Sequence, residues 1–411
     1  MQLVHERCAG LDVHKRTVVA CVLITQPEGT CQRAVRTFST MTADLLALGD
    51  WLDALRISVV ARESTGVYWR PVFNLLEEGR TLILVNPQHI KAVPGRKTAV
   101  KDRAWLADLL RHGLLTPSFI PPQPIREVRE LTRYRKRLVE ERAREVGRVQ
   151  KVLEGANMKL ASVATEVLGK SGRAMLEALI RGEQDPAVLA ERARGRLRAK
   201  RPQLQGALQG RLVAQHRTVL KHLLGHIDLL EQSIAELEAE IEHSLAPFGQ
   251  AVALAQTLPG IAATAASAIV ADIGVDMSRF PSARHLASWA GVCPGNKQSG
   301  GKRLSGQTTK GNPYLRAVLA EVAWAISRTK DKYLAAQFHR IARRRGQQKA
   351  VMAVAHSVLV ILYHMLRESR PYTDLGPDYF ERLEASQSER YHVRRLERLG
   401  YTVTLTPAPA A

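Results

Sequence analysis

Between residues 8 and 85 the apolar residues fall in short runs with strand character. From residue 126 onward they recur in steps of three and four. This change of period, from about two to about 3.6, restricts the fold more than any other feature. Residues 8–14, 17–24 and 33–38 are three successive strand candidates, with a turn at Pro27-Glu28-Gly29 before the third. Leu45, Leu46, Leu48, Trp51, Leu52 and Leu55 then mark an amphipathic helix. Residues 57–61 read as a buried strand, 68–77 as a helix and 82–85 as another strand. Three strands in a meander followed by alternating helix and strand predict an α/β layer with a mixed sheet.

That order matches the RNase H-like fold, and the acids fall at its strand and helix ends. Asp12 sits in the first run (GLDVHK), Glu63 directly after the fourth strand (VVARESTG) and Asp102 in a helical stretch (KTAVKDRAWLADLL). Carboxylates brought together from separate elements can hold two Mg²⁺ ions ~4 Å apart for attack on a phosphodiester. Each acid alone is as well explained by a surface or capping role. Asp12 is the exception, because an Asp inside an apolar strand is costly without a partner.

Composition narrows the partners. Sixty Lys+Arg against 39 Asp+Glu leave a formal charge of +21 on 411 residues, an excess that points to a polyanion. A membrane surface is the rival, but no run reaches the ~20 uninterrupted apolar residues of a span. The best candidate, residues 350–366, is interrupted by His356 and His364 and reads as a buried helix with packed histidines. The start MQLVHERCAG has no basic-then-apolar signal pattern, so a cytoplasmic protein is expected. Cys8, Cys21, Cys31 and Cys293 include no CxxC pair, which indicates neither a zinc ribbon nor a disulfide framework.

Beyond the proline-rich linker at 117–124, residues 126–151 carry ten basic residues and five glutamates. That helix is either a basic rod lying along a nucleic-acid backbone or a solvated helix laced by i,i+4 ion pairs. Residues 157–203 read as shorter helices with a very basic patch at 192–201. Residues 204–245 read as one long helix with a heptad seam at Leu223, Ile227, Leu230, Ile234, Leu237 and Ile241. The seam fits a coiled coil between protomers or a pairing with the 126–150 helix of the same chain. Leu258-Pro259-Gly260-Ile261 has the pattern of a helix-hairpin-helix, which presents backbone N–H groups to a phosphate. The segment 298–310 then packs Ser299, Gly300, Gly301, Lys302, Arg303, Ser305, Gly306 and Lys310 into one polar loop. Its glycines allow close backbone approach and its cations supply counter-charge to a phosphodiester, with a serine as candidate nucleophile. An ordinary solvated Gly/Ser loop has the same composition. The charged tail after Pro371 is expected to be partly disordered.

Taken together, ESTGVYW, VNPQHIKAVPGRKT, VKDRAWLADLLRHGLL, PSFIPP, LTRYRKRL, LPGI and WAGVCPGNKQSGGKR resemble one family, from about Gly10 to Gly376. It is the IS-one-ten family of bacterial insertion-sequence transposases, the bridge-RNA-guided serine/DEDD recombinases. The resemblance implies a RuvC-like domain over 1–120 and a helical, coiled-coil oligomerisation region over 121–248. A C-terminal serine transposase domain would follow over 249–375, then a tail over 376–411. It matches the family's acids to Asp12, Glu63 and Asp102, and its nucleophile to Ser299, with Ser305 the less regular alternative. It also implies Mg²⁺, DNA, a structured guide RNA, and a dimer or tetramer working at the nucleoid. Lys302, Arg303, Lys310, Gly260, Arg96, Lys97, Lys101, Arg133 and Arg137 are the expected nucleic-acid contacts. One departure stands out. Where the family has Asp-x-x-Asp, this chain reads Ala99-Val100-Lys101-Asp102, one carboxylate short. Metal binding should weaken, and cleavage with it. A substitution made to trap a complex, favoured by the well-matched flanks GRKT and VKD, and a natural impaired copy both account for Ala99. A metal-dependent nuclease or junction resolvase using water, and a non-catalytic nucleic-acid scaffold, are the rival functions.

Overall fold

The computed structural model describes residues 3–64, 66, 68–86, 102–295 and 297–405, with backbone alone at 102–103, 297–299, 303–304, 384 and 386–388. Two compact units divide the chain, 1–120 and 121–411.

The first unit is a five-stranded sheet in the order β3-β2-β1-β4-β5. Strands β1 (Arg7–Val13), β2 (Thr17–Thr25) and β3 (Cys31–Ser39) form the antiparallel meander. Strands β4 (Val59–Glu63) and β5 (Thr81–Val85) add in parallel on the other side of β1. Helices α1 (Thr42–Ala54) and α2 (Trp69–Leu76) are the crossovers. Period-two alternation assigns each side chain to a face. Ala9, Leu11, Val60 and Val22 pack with Leu45, Leu48, Leu52 and Val72 on the α1/α2 face. Cys8, Cys21, Ala61 and Val85 pack with Leu106, Ala107 and Leu110 of α3 (Asp102–Arg111) on the opposite face. Burial on that face pushes the Cys8 thiol up to about 12, so it behaves as a small apolar residue.

In the second unit the long helix α4 (Gln123–Gly155) continues into the small helices α5 (Leu160–Val163), α6 (Lys170–Arg181), α7 (Pro186–Glu191) and α8 (Arg201–Leu208). The chain then returns along α9 (Ala214–Leu245). The expected single helix over 204–245 is broken. Arg211 N–H donates to Ala156 O at 2.9 Å, and a Cβ on Gly210 would stand 2.4 Å from the same oxygen. A glycine costing about 1 kcal/mol inside a helix already marked the spot.

The heptad seam finds its partner inside the chain. Arg135 pairs with Glu238, Arg142 with Glu231, and His226 Nδ1 lies 3.4 Å from buried Glu145, so α4 and α9 run antiparallel. Ile227, Leu230 and Ile241 are buried along α9, whereas Leu223, Ile234 and Leu237 are only half-buried. One core, with Leu153, Met175, Leu179, Leu204 and Leu220, closes the far end of this pair. Another, with Val128, Leu245, Val270 and Ala271, closes the near end against α11.

The remaining elements are α10 (Gly249–Gln256), α11 (Ala263–Ile273), α12 (Ala283–Ala290), β6 (Lys297–Ser299), β7 (Lys302–Ser305), α13 (Pro313–Ile326), α14 (Tyr333–Arg345), α15 (Gln347–Glu368) and α16 (Tyr379–Arg398). Among the described residues α15 alone is long and apolar enough to cross a membrane. Its Val354, Val358, Leu359, Leu362 and Tyr363 are nevertheless buried within the unit. His356 packs half-buried there, with burial holding its pKa below the usual histidine value, and His364 pairs at 3.6 Å with Glu368. Within the tail, residues 379–398 form α16 and stack Phe380 on Tyr333. Residues 406–411 lie outside the described part.

Candidate active site

In the first unit the register does the assembling. Ala9 pairs with Val60, Gly10 with Ala61 and Leu11 with Arg62, so the next residues along, Asp12 and Glu63, stand level at the C-terminal ends of neighbouring parallel strands. Each is two residues beyond one that lies on the α3 face or faces it, Gly10 after Cys8 and Ala61, so both share that face. Cys8 Sγ lies 3.5 Å from Ala107 O, and the N–H groups of Val4 and His5 donate to Arg111 O. Helix α3 therefore runs antiparallel to β1, and its first residue, Asp102, comes toward the strand end that carries Asp12. Of the acids picked from the sequence, Asp12 and Glu63 are brought to one end of one face, and the backbone at Asp102 comes toward that end.

The donor set is hard oxygen on a rigid sheet, which fits a divalent cation such as Mg²⁺. Asp12 is 30% exposed and lies 3.3 Å from His14 Nε2, so the partner that a strand Asp requires is in part a histidine two residues on. Among the described residues no three His, Cys, Asp or Glu side chains form a ligand cluster. The family's remaining acid position, Ala99, is outside the described residues, as are Arg96, Lys97 and Lys101.

Sequence reading missed Arg62, which alternates onto the opposite face and is 2% exposed. Its guanidinium donates to Trp69 O at 2.8 Å and to Glu63 O at 3.3 Å, and lies over the Trp69 ring at 5.8 Å. Burial lowers its pKa to about 9, still above neutrality, so it stays charged. It ties the end of β4 to the start of α2 and fixes the backbone that carries Glu63. Only a charge inside an otherwise apolar strand, VVARE, pointed to it.

In the second unit the polar segment around Ser299 is a β-hairpin, not a loop. Ser299 pairs with Lys302 and Gln298 with Arg303. The turn between them is Gly300 (φ 54°) and Gly301 (φ 74°), the type I′ geometry that two successive positive φ values define. Nothing stands within 4 Å of a Cβ at either glycine, so backbone conformation alone requires them. Ser299 thus occupies the last strand position before the tip. Ser305 Oγ instead accepts from Gln307 N–H at 3.1 Å, a local turn.

The hairpin's base is clamped backbone to backbone. Pro294 bridges Thr308, and Gly295 N–H donates to Gln307 O at 2.7 Å. A Cβ on Gly311 would stand 2.3 Å from Gly291 N and 2.4 Å from Ala290 C. Gly311→Ala is therefore expected to cost about 2–3 kcal/mol through overpacking that only backbone movement relieves. A lower urea midpoint at unchanged slope would register it; an unchanged midpoint would mean the two segments are free to separate.

Of the expected nucleic-acid contacts, Lys302 and Lys310 are exposed. Gly260 (φ 85°) is turned against α13, where a Cβ would stand 2.7 Å from Ile326 Cγ1. Packing is sufficient reason for that glycine. Arg133 and Arg137 are engaged within the unit. Arg133 Nη2 donates to Asp272 Oδ1 at 2.7 Å and lies 4.5 Å over the Tyr314 ring, while Arg137 donates to Tyr314 Oη. Arg129, Arg133, Arg135, Lys136 and Arg142 of α4 pair with acids on other helices. Arg148 instead pairs with Glu145 on its own helix, and Arg144 and Lys151 are exposed, so each sequence-based alternative describes only part of α4.

Residues 9–158 match a protein family described as Transposase, the DEDD type of IS110, and residues 252–340 match the Transposase IS116/IS110/IS902 family. The chain belongs to the IS110 (IS-one-ten) family of transposases. It is 26% identical over 312 residues to the 43.6 kDa protein of insertion element IS110 from Streptomyces coelicolor, covering 69% of this chain and 74% of that one. It is 28% identical over 335 residues to the 42 kDa protein of insertion element IS900 from Mycobacterium paratuberculosis, covering 71% and 80%. A pilin gene-inverting protein of Moraxella bovis is 34% identical over 124 residues, 29% of this chain and 38% of its own. An IS110-family transposase is a DNA-recombining enzyme, so DNA is a polyanionic partner of this chain of charge +21. The DEDD match calls for a divalent cation.

Proposed function

We propose that this transposase excises and inserts its element through a covalent Ser299–phosphate link, at sites chosen by a structured guide RNA. The observation that carries the reading is the convergence of Asp12 and Glu63 at neighbouring strand ends, on the face approached by the start of α3. The strand order β3-β2-β1-β4-β5, antiparallel on one side and parallel on the other, supports an RNase H-like, RuvC-like domain over 1–120. Residues 121–248 serve as the helical and oligomerisation region, 249–375 as the serine transposase domain and 376–411 as the tail. Asp12, Glu63 and Asp102 would hold Mg²⁺, two ions, less firmly for want of a carboxylate at Ala99. When bound, Mg²⁺ supplies positive charge beside the scissile phosphate. Ser299 Oγ bonds to phosphorus and gives up its proton; the phosphorus–sugar oxygen bond breaks, and the departing oxygen takes a proton. The phosphoserine keeps the energy of the broken bond for rejoining. Lys302, Arg303 and Lys310 hold the non-bridging oxygens as charge gathers on them. Pairing of the two sites between protomers of a dimer or tetramer, at the nucleoid, completes the reading.

A second reading, metal-dependent cleavage by water, is favoured by the exposed hairpin tip, which suits a structural turn as well as a nucleophile. An adduct assay separates them. The protein is purified with its co-expressed RNA as it stands, as Ala99→Asp, and as Ala99→Asp/Ser299→Ala. Each is mixed with DNA carrying the element ends and Mg²⁺. The expected result is a denaturant-stable protein–DNA species in Ala99→Asp that Ser299→Ala removes. DNA cut without any adduct makes water the nucleophile and ends the Ser299 assignment.

A further inference from the structure

The helices at the far end of the α4/α9 pair lie between the two matched segments, which end at 158 and resume at 252. They have a core of their own, with Leu160, Met175, Leu176, Leu189, Leu204 and Leu208 fully buried. On this support sits the stretch 192–201, RARGRLRAKR, with six cations and no acid. Its backbone is held in place. Ala193 is buried, Leu197 packs on the core, and Arg194 N–H donates to Ser171 Oγ at 2.9 Å. Residues 195–200 form a 3₁₀ turn that leads into α8.

The side chains differ from those of α4. There Arg129, Arg133, Arg135, Lys136 and Arg142 each meet a carboxylate. Here Arg194, Arg196 and Arg198 are exposed, and none has an ion-pair partner among the described residues. Lys200 and Arg201 reach only backbone carbonyls, Val163 O and Glu191 O. A chain that neutralises its helix-pair arginines leaves this cluster open, on a rigid base, facing water.

We infer that the 192–201 surface is a sequence-independent grip on the phosphate backbone of duplex DNA. This rests on DNA being the transposase's partner. Charge complementarity selects a polyanion, and a backbone already held in place loses little freedom when its cations meet phosphates. The stretch has no aromatic residue on which an unpaired base would stack. It also has no Asn, Gln, Ser or Thr, so a cation against guanine is the one base-edge contact open to it. Its row of cations suits the phosphate backbone of a duplex, whose contacts position the protein on its site without choosing the sequence.

The test is binding of the full chain to a random-sequence DNA duplex and to a structured RNA hairpin over a range of salt. Wild type is compared with Arg194→Gln/Arg196→Gln/Arg198→Gln and with the matching triple Lys variant. Losing three phosphate contacts should flatten the log–log salt dependence by about 2.7 and weaken duplex binding at least about tenfold near 0.1 M salt. The Lys variant should keep the wild-type slope, which a merely structural role for the arginines would not predict. An unchanged slope in the Gln variant overturns the inference, and so does loss of RNA binding alone with duplex binding intact. A wild-type chain that binds no duplex at all overturns the DNA partnership itself, a different failure.

Discussion

Asp12→Asn and Glu63→Gln should each lower strand cleavage by at least about 100-fold while leaving duplex affinity within about twofold. Both residues stand at the strand ends that the β1/β4 register brings level, and both substitutes keep the volume while removing the charge that a divalent cation needs. Loss of groups that only support metal ligands costs about 10–100-fold; direct loss of a carboxylate should cost more. Duplex affinity should hold because it comes from cations spread over the chain, with +21 in total. The measurement is the initial rate of cutting of labelled DNA, in the present chain and in an Ala99→Asp background, with and without a chelator. If Asn and Gln cut as fast as their parent, the strand-end site is not where the reaction happens.

The Ala99→Asp background makes the reasoning sharper. With only three family acids left, each remaining carboxylate carries a larger share of the cation's charge. The penalty for Asp12→Asn should then be greater in the chain with Ala99 than in the repaired one. Equal penalties would mean that position 99 contributes nothing to the same site.

What the sequence made legible followed from local cost. Strands β2 and β4 announced themselves because β-branched runs pack well on a pleated surface, β1 as a short apolar run, and Asp12 because a charge in such a run demands a partner. The same argument applied to SAIVADI would have flagged Asp272, and applied to VVARE would have flagged Arg62. What was not legible depended on partners far along the chain. Arg135 meets Glu238 across 103 residues, Arg142 meets Glu231 across 89, and Arg133 meets Asp272 across 139. A basic helix viewed alone therefore looks free for nucleic acid. The heptad seam defined a face on α9 but not its partner, since a period carries no address. The hairpin escaped because KQS and KRLS have weak strand propensity. Its signal is Gly300-Gly301 as a turn between two short runs, a pair that equally suits close approach to a phosphate.

Asp272→Ala should destabilise the second unit by about 3–5 kcal/mol, the cost of breaking a buried ion pair from one side. The carboxylate is 4% exposed and has Arg133 Nη2 at 2.7 Å and Arg129 Nε at 3.3 Å. Asn312 Nδ2 also donates to it at 2.9 Å, while Asn312 Oδ1 accepts from Tyr314 N–H and Leu315 N–H at the start of α13. One acid thus joins α4, α11 and the N-terminus of α13. Truncation would remove the carboxylate that two largely buried guanidiniums share. Arg129 would still donate to Ala271 O, which offsets little of that loss. At about 2–4 °C per kcal/mol for a unit of this size, the melting temperature should fall by roughly 6–20 °C. Asp272→Asn should cost less, because an amide oxygen can still accept from Arg133 and Asn312 although the charge is gone. Thermal melts of the two variants against wild type would decide. A loss below about 1 kcal/mol for the Ala variant would mean the arginines relax into solvent. Asn312 caps α13 one residue after Gly311, at the foot of the Ser299 hairpin. Loss of Asp272 should therefore reduce hairpin-dependent chemistry even below the melting point, by loosening what the tip stands on.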